Sequence, residues 1–347
     1  LKTRLKTRIE LREAPHSPEL PDDVVPFLES LDGPTAWRVP GRDRSRCRIV
    51  TTLLHGNEPS GLIAVHDWLR SGREPAVDAI CVLGNVEAAR IHPVFTNRSV
   101  PDRRDLNRCF LGPWDDVEGE IARQLLDLIN RTNPEALIDV HNNTGHNPPY
   151  AIGTTPTHNA LQLAWIFSRD FVWSHLQLGA IIEGVTSCPS ITIEVGKSGE
   201  DAADLVATEG IARFFEAPAL FGNGIEADTS KIRILTMPMR ARLVPGRRLV
   251  MAQRPADGAD LTMPDDLDRH NFEDVPPGSR IGWVNGEGCP LELIDEHGED
   301  RAGDYFERRG DELVARCSFM PIMITVDAAI AANDCLFYVV QHTEPDL

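Results

Sequence analysis

Three short runs place residues able to hold a metal ion or move a proton directly after strand-like sequence. His55-Gly56-Asn57-Glu58 follows the run 48–54, Asp139-Val140-His141-Asn142-Asn143 closes a run that starts at 136, and Glu194 ends the run 191–193. In an open α/β sheet the carboxyl ends of the strands line the ligand crevice. Two histidines and two glutamates delivered to that edge suit a catalytic zinc site, which takes three nitrogen or oxygen ligands and keeps one position for water. Each signal has a plainer reading when taken singly. His55 is then a turn histidine with a solvated or helix-capping Glu58, His141 a satisfied core histidine, and Glu194 the cap of the next segment. The combination is what points to metal chemistry.

The elements around these residues alternate. Strand-like runs at 48–54 (RIVTTLL), 79–83 (AICVL), 136–140 and 191–195 are separated by helical patterns at 61–69, 118–129, 161–167 and 201–215. The clearest helix is 118–129, with Ile121, Leu125 and Leu128 on one face. Such alternation predicts a mixed, mainly parallel sheet with helices on both faces. A turn-rich stretch at 217–230, with Pro218 and Gly222-Asn223-Gly224, ends this pattern. Short alternating runs at 232–235, 280–284, 291–294 and 336–340 then read as a small all-β region. The expected organisation is an α/β catalytic domain over 1–220 and a C-terminal all-β domain over 225–347, which fits the prior of about two domains for 347 residues.

Composition narrows the partners. With 35 basic against 53 acidic side chains the formal net charge is −18, which argues against binding nucleic-acid phosphates. No apolar run approaches the ~18 residues of a membrane span; the best candidate, 321–340, is broken by Asp327, Asn333 and Asp334. The first residues, LKTRLKTRIELRE, repeat LKTR, lack Met and have no apolar centre, so they do not read as a secretory signal. Seven scattered cysteines with no CxxC fit reduced thiols and a cytoplasmic location rather than a disulfide framework. Gly196-Lys197-Ser198 looks like the tail of a phosphate loop, but Ile191 stands where that loop needs its first glycine. There is no G-x-S-x-G elbow.

The motifs as a set resemble the succinylglutamate desuccinylase/aspartoacylase family, within the wider zinc carboxypeptidase-like group. HGNEPSG (55–61), DLNRCFLG (105–112), DVHNNTG (139–145) and ITIEVG (191–196) carry the resemblance in the family's order, and ICVLGN (80–85) also fits. The resemblance implies one Zn2+ per chain held by His55, Glu58 and His141, with Glu194 as general base and acid. Zinc brings bound water to a pKa of about 7 and polarises a carbonyl. Asp139, two residues before His141, is placed to orient a ligand imidazole; a strand-end turn cap is its plainer reading. Asn107 and Arg108 look like the family's substrate-carboxylate clamp, where a guanidinium gives two parallel hydrogen bonds. A further family arginine polarises the scissile carbonyl; Arg98, Arg103 and Arg104 compete for it, and Arg98 is favoured if two residues are inserted before Asp105.

Two departures concern the substrate. The family places an arginine ten residues before the catalytic glutamate, whereas this chain has Gly184 there, preceded by Glu183, and no arginine over 176–193. Arg301, Arg308 or Arg309 of the β domain are candidate replacements. The aspartoacylase branch also uses a β-domain tyrosine, for which Tyr305 in Asp304-Tyr305-Phe306-Glu307 is the faint match. The leading expectation is a hydrolase that cleaves the amide of a small N-acyl amino acid, with the β domain capping or shaping the site. A carboxypeptidase-like peptidase and a metal-free binding protein on the same fold are the competing readings. A homo-oligomer stays open.

Overall fold

The computed structural model describes residues 8–222, 224–326, 328, 331 and 336–342. The first LKTR repeat, Asn223 of the predicted boundary turn, Cys335, and Asp327, Asn333 and Asp334 lie outside the described residues. The chain divides into two compact units. The first holds 1–142, 149–171 and 177–233, and the second holds 143–148, 172–176 and 234–347.

The first unit is the mixed α/β layer that the alternation predicts. Its strands are β1 (Leu11–Glu13), β2 (Thr35–Val39), β3 (Asp43–Thr52), β4 (Val77–Leu83), β5 (Ala136–Asn143), β6 (Tyr150–Gly153), β7 (Asp170–Trp173) and β8 (Ser190–Lys197). They run in the order β1-β2-β4-β3-β5-β8-β6-β7. The central strand β3 is parallel to both β4 and β5, while β2 pairs antiparallel with β4 and β6 with β8. The helices are α1 (Val24–Glu29), α2 (Ser60–Ser71), α3 (Val86–Arg90), α4 (Val117–Thr132), α5 (His158–Trp165), α6 (Ile181–Gly184) and α7 (Asp201–Glu216).

Both faces of this sheet are covered, which is why β4 and β5 read as continuous apolar runs rather than alternating ones. Ile49, Ile80 and Leu137 form one buried cluster with Ile121, Leu125 and Ile129 of α4. On the other face α2 and α7 pack together, α2 against β3 and α7 against β4 and β8. Asp116 caps α4 by accepting from the Gly119 N–H at 2.8 Å, an interaction typically worth about 1 kcal/mol. Asn133 ends the helix in the left-handed region, with φ of 45°.

The second unit is built from β9 (Arg233–Leu243), β10 (Leu249–Met251), β11 (Leu261–Met263), β12 (Arg280–Val284), β13 (Leu291–Ile294), α8 (Ala302–Tyr305), β14 (Phe306–Arg309), β15 (Glu312–Ala315), β16 (Met320–Ile322) and β17 (Phe337–His342). β10-β11-β12-β15-β14 form one sheet, and β9 pairs with β13 and β17. Phe306 meets Phe319 edge-on and Phe319 stacks on Phe337 in its core. The segment 143–148 is fastened into this unit. Asp268 accepts from the His146 N–H at 3.0 Å, Asn271 donates to the His146 carbonyl at 2.8 Å, and Asn147 accepts from the Met323 N–H at 3.0 Å. Gly145 is required there, because a Cβ would lie 2.1 Å from the Ile324 carbonyl oxygen.

Candidate active site

The backbone at the carboxyl end of β3 brings two of the motifs together. Cross-strand register pairs Thr51 with Asp139 and Thr52 with Val140, so His141 stands one residue past the last paired position. β3 ends there: Leu53 takes φ of 54°, a left-handed conformation that a branched apolar side chain adopts only where its surroundings hold it. The chain turns through His55 to Glu58 and enters α2 at Ser60. Two glycines in this turn are dictated by close approach. A Cβ on Gly56 would lie 2.5 Å from the Ala89 nitrogen, and one on Gly61 would lie 2.1 Å from Thr52 Oγ1.

This geometry converges three donor atoms. Nδ1 of His55 lies 2.8 Å from Glu58 Oε1, Nδ1 of His141 lies 2.7 Å from Glu58 Oε2, and the two Nδ1 atoms are 3.2 Å apart. Among the described residues this is the one cluster of three His, Cys, Asp or Glu side chains able to hold a metal ion, and all three are buried. A tetrahedral ion with bonds of about 2.0–2.1 Å separates its ligand atoms by roughly 3.3 Å, so the set needs little expansion to receive one.

The outward nitrogens are held by carboxylates. Nε2 of His141 lies 2.6 Å from Asp139 Oδ2, and Asp139 in turn accepts from Thr51 Oγ1 at 2.6 Å. Nε2 of His55 lies 3.1 Å from Asp105 Oδ1. An imidazole whose Nε2–H donates to a carboxylate presents its Nδ1 lone pair inward, the tautomer a metal ligand requires. Donor chemistry and orientation therefore both fit a divalent cation.

Charge in the cluster is strongly coupled. Burial pushes the Glu58 carboxyl up, but the imidazoles of His55 and His141 outweigh it and hold the group well below the usual carboxylate range. Burial acts to lower His141, and the carboxylates of Asp139 and Glu58 reverse that, so it is raised well above an ordinary histidine. Desolvation acts to raise the half-buried Asp105 as well, but His55, Arg98 and Arg108 hold it far down. Glu194 behaves differently. Burial drives its carboxyl up to about 7, His141 opposes the rise and the Glu58 charge reinforces it. Glu194 lies inside β8 rather than at the strand end expected from sequence, since the strand continues to Lys197 and pairs Glu194 with Tyr150.

Of the three competing arginines, Arg98 is the one beside the cluster. Its Nε donates to Asp105 Oδ2 at 2.9 Å, its Nη1 is 3.7 Å from Glu58 Oε1, and its carbonyl accepts from the Gly56 N–H at 2.9 Å. Arg103 pairs with Glu87 and Glu118, and Arg104 with Asp116 and the Pro113 carbonyl. Asn107 is buried, its Nδ2 3.4 Å from His141 Nε2 and its Oδ1 accepting from the Ile181 N–H at 3.0 Å. The half-buried Arg108 donates from Nη1 to the Asn107 carbonyl at 2.9 Å.

The structure gives a physical reason for the missing distal arginine. Position 184 faces the core: a Cβ there would lie 3.1 Å from both Leu126 Cδ2 and the Phe110 carbonyl oxygen. Glu183 is spent on the preceding loop, accepting from the N–H groups of Leu178 at 3.0 Å and Gly179 at 2.8 Å. The remaining candidates belong to the second unit. Tyr305 packs edge-on to Phe319 and its hydroxyl accepts from Gln341 Nε2 at 3.1 Å. Arg301 donates to Asp304, Arg308 to the carbonyls of Gly310 and Gly286, and Arg309 to Glu307.

Residues 49–209 match the sequence profile of the succinylglutamate desuccinylase/aspartoacylase catalytic domain, a span that contains the four motifs and the histidine–glutamate cluster. Over that segment the chain is similar to the catalytic domain of the succinylglutamate desuccinylase/aspartoacylase hydrolases. No curated protein matches it by sequence. Solved structures share the fold. The succinylglutamate desuccinylase/aspartoacylase from Rhodobacter sphaeroides superimposes with a TM-score of 0.60 at 18% identity, covering 90% of this chain and 89% of that one. The product-bound ectoine utilization protein EutE (DoeB) from Ruegeria pomeroyi gives 0.58 at 18% identity, with 88% of each chain covered. Murine aminoacylase 3 gives 0.54 at 20% identity, covering 87% of this chain and 97% of that one.

Proposed function

We propose that the protein is a zinc-dependent amidohydrolase that cleaves the amide bond of a small N-acyl amino acid. The observation that carries this reading is the convergence of both Nδ1 atoms on the Glu58 carboxylate, with each outward Nε2 held by a carboxylate. His55, Glu58 and His141 would hold one Zn2+ per chain, which when bound supplies a Lewis acid and water of lowered pKa. Glu194 takes the proton of the attacking water and returns it to the departing amine as the C–N bond breaks. A carboxyl poised near 7 suits both halves of that transfer. Arg98, beside Glu58, polarises the scissile carbonyl and stabilises the charge that develops on its oxygen.

Arg108 and Asn107 bind the carboxylate of the amino-acid half. The distal end of the substrate meets no arginine from position 184. Two anionic ends in a desolvated site without a second cation repel, so the preferred substrate carries a neutral or amine-bearing distal group. The scattered cysteines, free among the described residues, support a cytoplasmic location. A hydrolysis screen over N-succinyl, N-acetyl and N-formyl amino acids, with and without chelator, tests it. Chelator-sensitive release of the free amino acid is expected. Cleavage of longer peptides at equal rate would favour the peptidase reading.

A further inference from the structure

Asn142 is the residue at which three of the four motif segments meet. It is buried, immediately follows His141, and uses its backbone N–H and both polar groups of its side chain. Its backbone N–H donates to Glu58 Oε2 at 3.2 Å. Its Oδ1 accepts from the Ser60 N–H at 3.0 Å. Its Nδ2 donates to Ser60 Oγ at 2.8 Å and to the Gly196 carbonyl at 3.2 Å. Ser60 is further fixed by donating from Oγ to Asp204 Oδ1 at 2.5 Å. A single amide therefore ties the first turn of α2, which follows Glu58, to β5 at His141 and to β8 two residues beyond Glu194.

We infer that Asn142 is a positioning residue that sets the spacing between the metal-binding cluster and Glu194, an inference that rests on the metal-dependent reading above. Its side chain bonds Ser60 and Gly196 rather than any atom of the cluster. Its geometry explains the choice of side chain: the arrangement needs one acceptor and two donors in a plane, which Asn provides and neither Asp nor Leu does. Buried polar groups that lose their partners do not relax neutrally. Removing this amide leaves the Ser60 N–H and hydroxyl at the start of α2 and the Gly196 carbonyl in β8 each short of a partner.

The test uses the full chain and Co2+, whose visible spectrum reports ligand geometry, alongside zinc-supported turnover. Wild type is expected to bind one Co2+. Asn142→Ala should raise its dissociation constant by about 10–100-fold, the usual effect of removing an outer-shell partner, and shift the spectrum. It should lower kcat while leaving KM within about twofold, because the reacting groups are displaced and the carboxylate clamp is not. Ser60→Ala removes only the hydroxyl partner, so it should weaken Co2+ binding in the same direction by less. That variant decides the matter if Asn142→Ala does not fold. A lowered Tm with wild-type Co2+ affinity, spectrum and kcat would overturn the inference and leave Asn142 a structural residue. Failure of wild type itself to bind Co2+ would instead overturn the metal reading, and the inference with it.

Discussion

Oδ2 of Asp139 lies 2.6 Å from Nε2 of His141, and the cross-strand hydroxyl of Thr51 holds the other carboxylate oxygen. The pair fixes the imidazole so that Nδ1 alone faces Glu58. Asp139→Asn keeps the shape but removes the charge and one of the two acceptor oxygens that serve His141 and Thr51, and metal affinity should fall about 10–100-fold. His141→Ala should abolish stoichiometric binding, since two protein ligands rarely make a catalytic zinc site. Metal analysis after dialysis measures both; full zinc content in His141→Ala would remove that residue from the ligand set.

Glu194 should control the acidic limb of the rate profile. As a base it must be ionised, so kcat/KM should rise with pH up to about 7, where burial places the carboxyl. A bound divalent cation favours the carboxylate and moves this limb downward. Glu194→Gln should retain metal and fold, lose about 10²–10⁴-fold in kcat, and lose the limb. The metal-free protein gives an independent reading. Between the ordinary value of 4.5 and about 7 the folded state keeps a proton that the unfolded state releases. Stability from this group is thus fully present below 4.5 and declines as pH rises through that window. Urea midpoints of the chelated protein should show that decline, and Glu194→Gln should reduce it.

The arginines near the cluster should separate into two kinds. Arg98→Ala should cost about 10²–10³-fold in kcat, the scale for losing a donor to a developing oxyanion. Arg103→Ala should leave turnover within a few-fold but lower Tm by several degrees, because it strips the buried Glu118 of its cation. Equal kinetic loss in both variants would show that the distinction drawn from their partners is wrong.

Substrate charge is decided by competition. Arg108→Lys should raise KM although charge is kept, since an ammonium cannot form the bidentate fork. Neutral and cationic N-acyl amino acids should show higher kcat/KM than N-succinylglutamate. A clear preference for the more anionic substrate would mean that a cation from elsewhere replaces the one absent at Gly184.

What the sequence made legible follows the physics of each signal. The buried parallel strands and the amphipathic α4 announce themselves by apolar runs and helical spacing, and β12 and β13 fall where alternation put them, at Arg280–Val284 and Leu291–Ile294. The three-residue strand β1 and the one-turn α6 have too few residues to show a period. His55 and Glu58 were legible in the turn that follows β3, and His141 as a polar residue at the end of the β5 run. Asp105 lay inside a recognised motif but went unassigned, because its role depends on His55, 50 residues away in sequence. The long-range contacts of Asn142 left no local pattern either. Sequence favours Arg98 over Arg103 and Arg104 only through an assumed insertion before Asp105, whereas its contacts with Asp105 and Glu58 set it beside the cluster directly.

The fastening of 143–148 into the β unit has a consequence for the order in which the chain can mature on the ribosome. This strap leaves the exit tunnel directly behind His141, yet its partners Asp268 and Asn271 are synthesised more than a hundred residues later, and Met323 follows Asn147 by 176. At about 5–20 residues per second the strap waits on the order of ten seconds or longer before it can be clasped. During that interval β5 has its parallel neighbour β3, but the strap lacks its hydrogen bonds to Asp268, Asn271 and Met323. Nascent chains arrested before residue 268 should therefore be cleaved by protease within 143–148, and chains released beyond Met323 should resist.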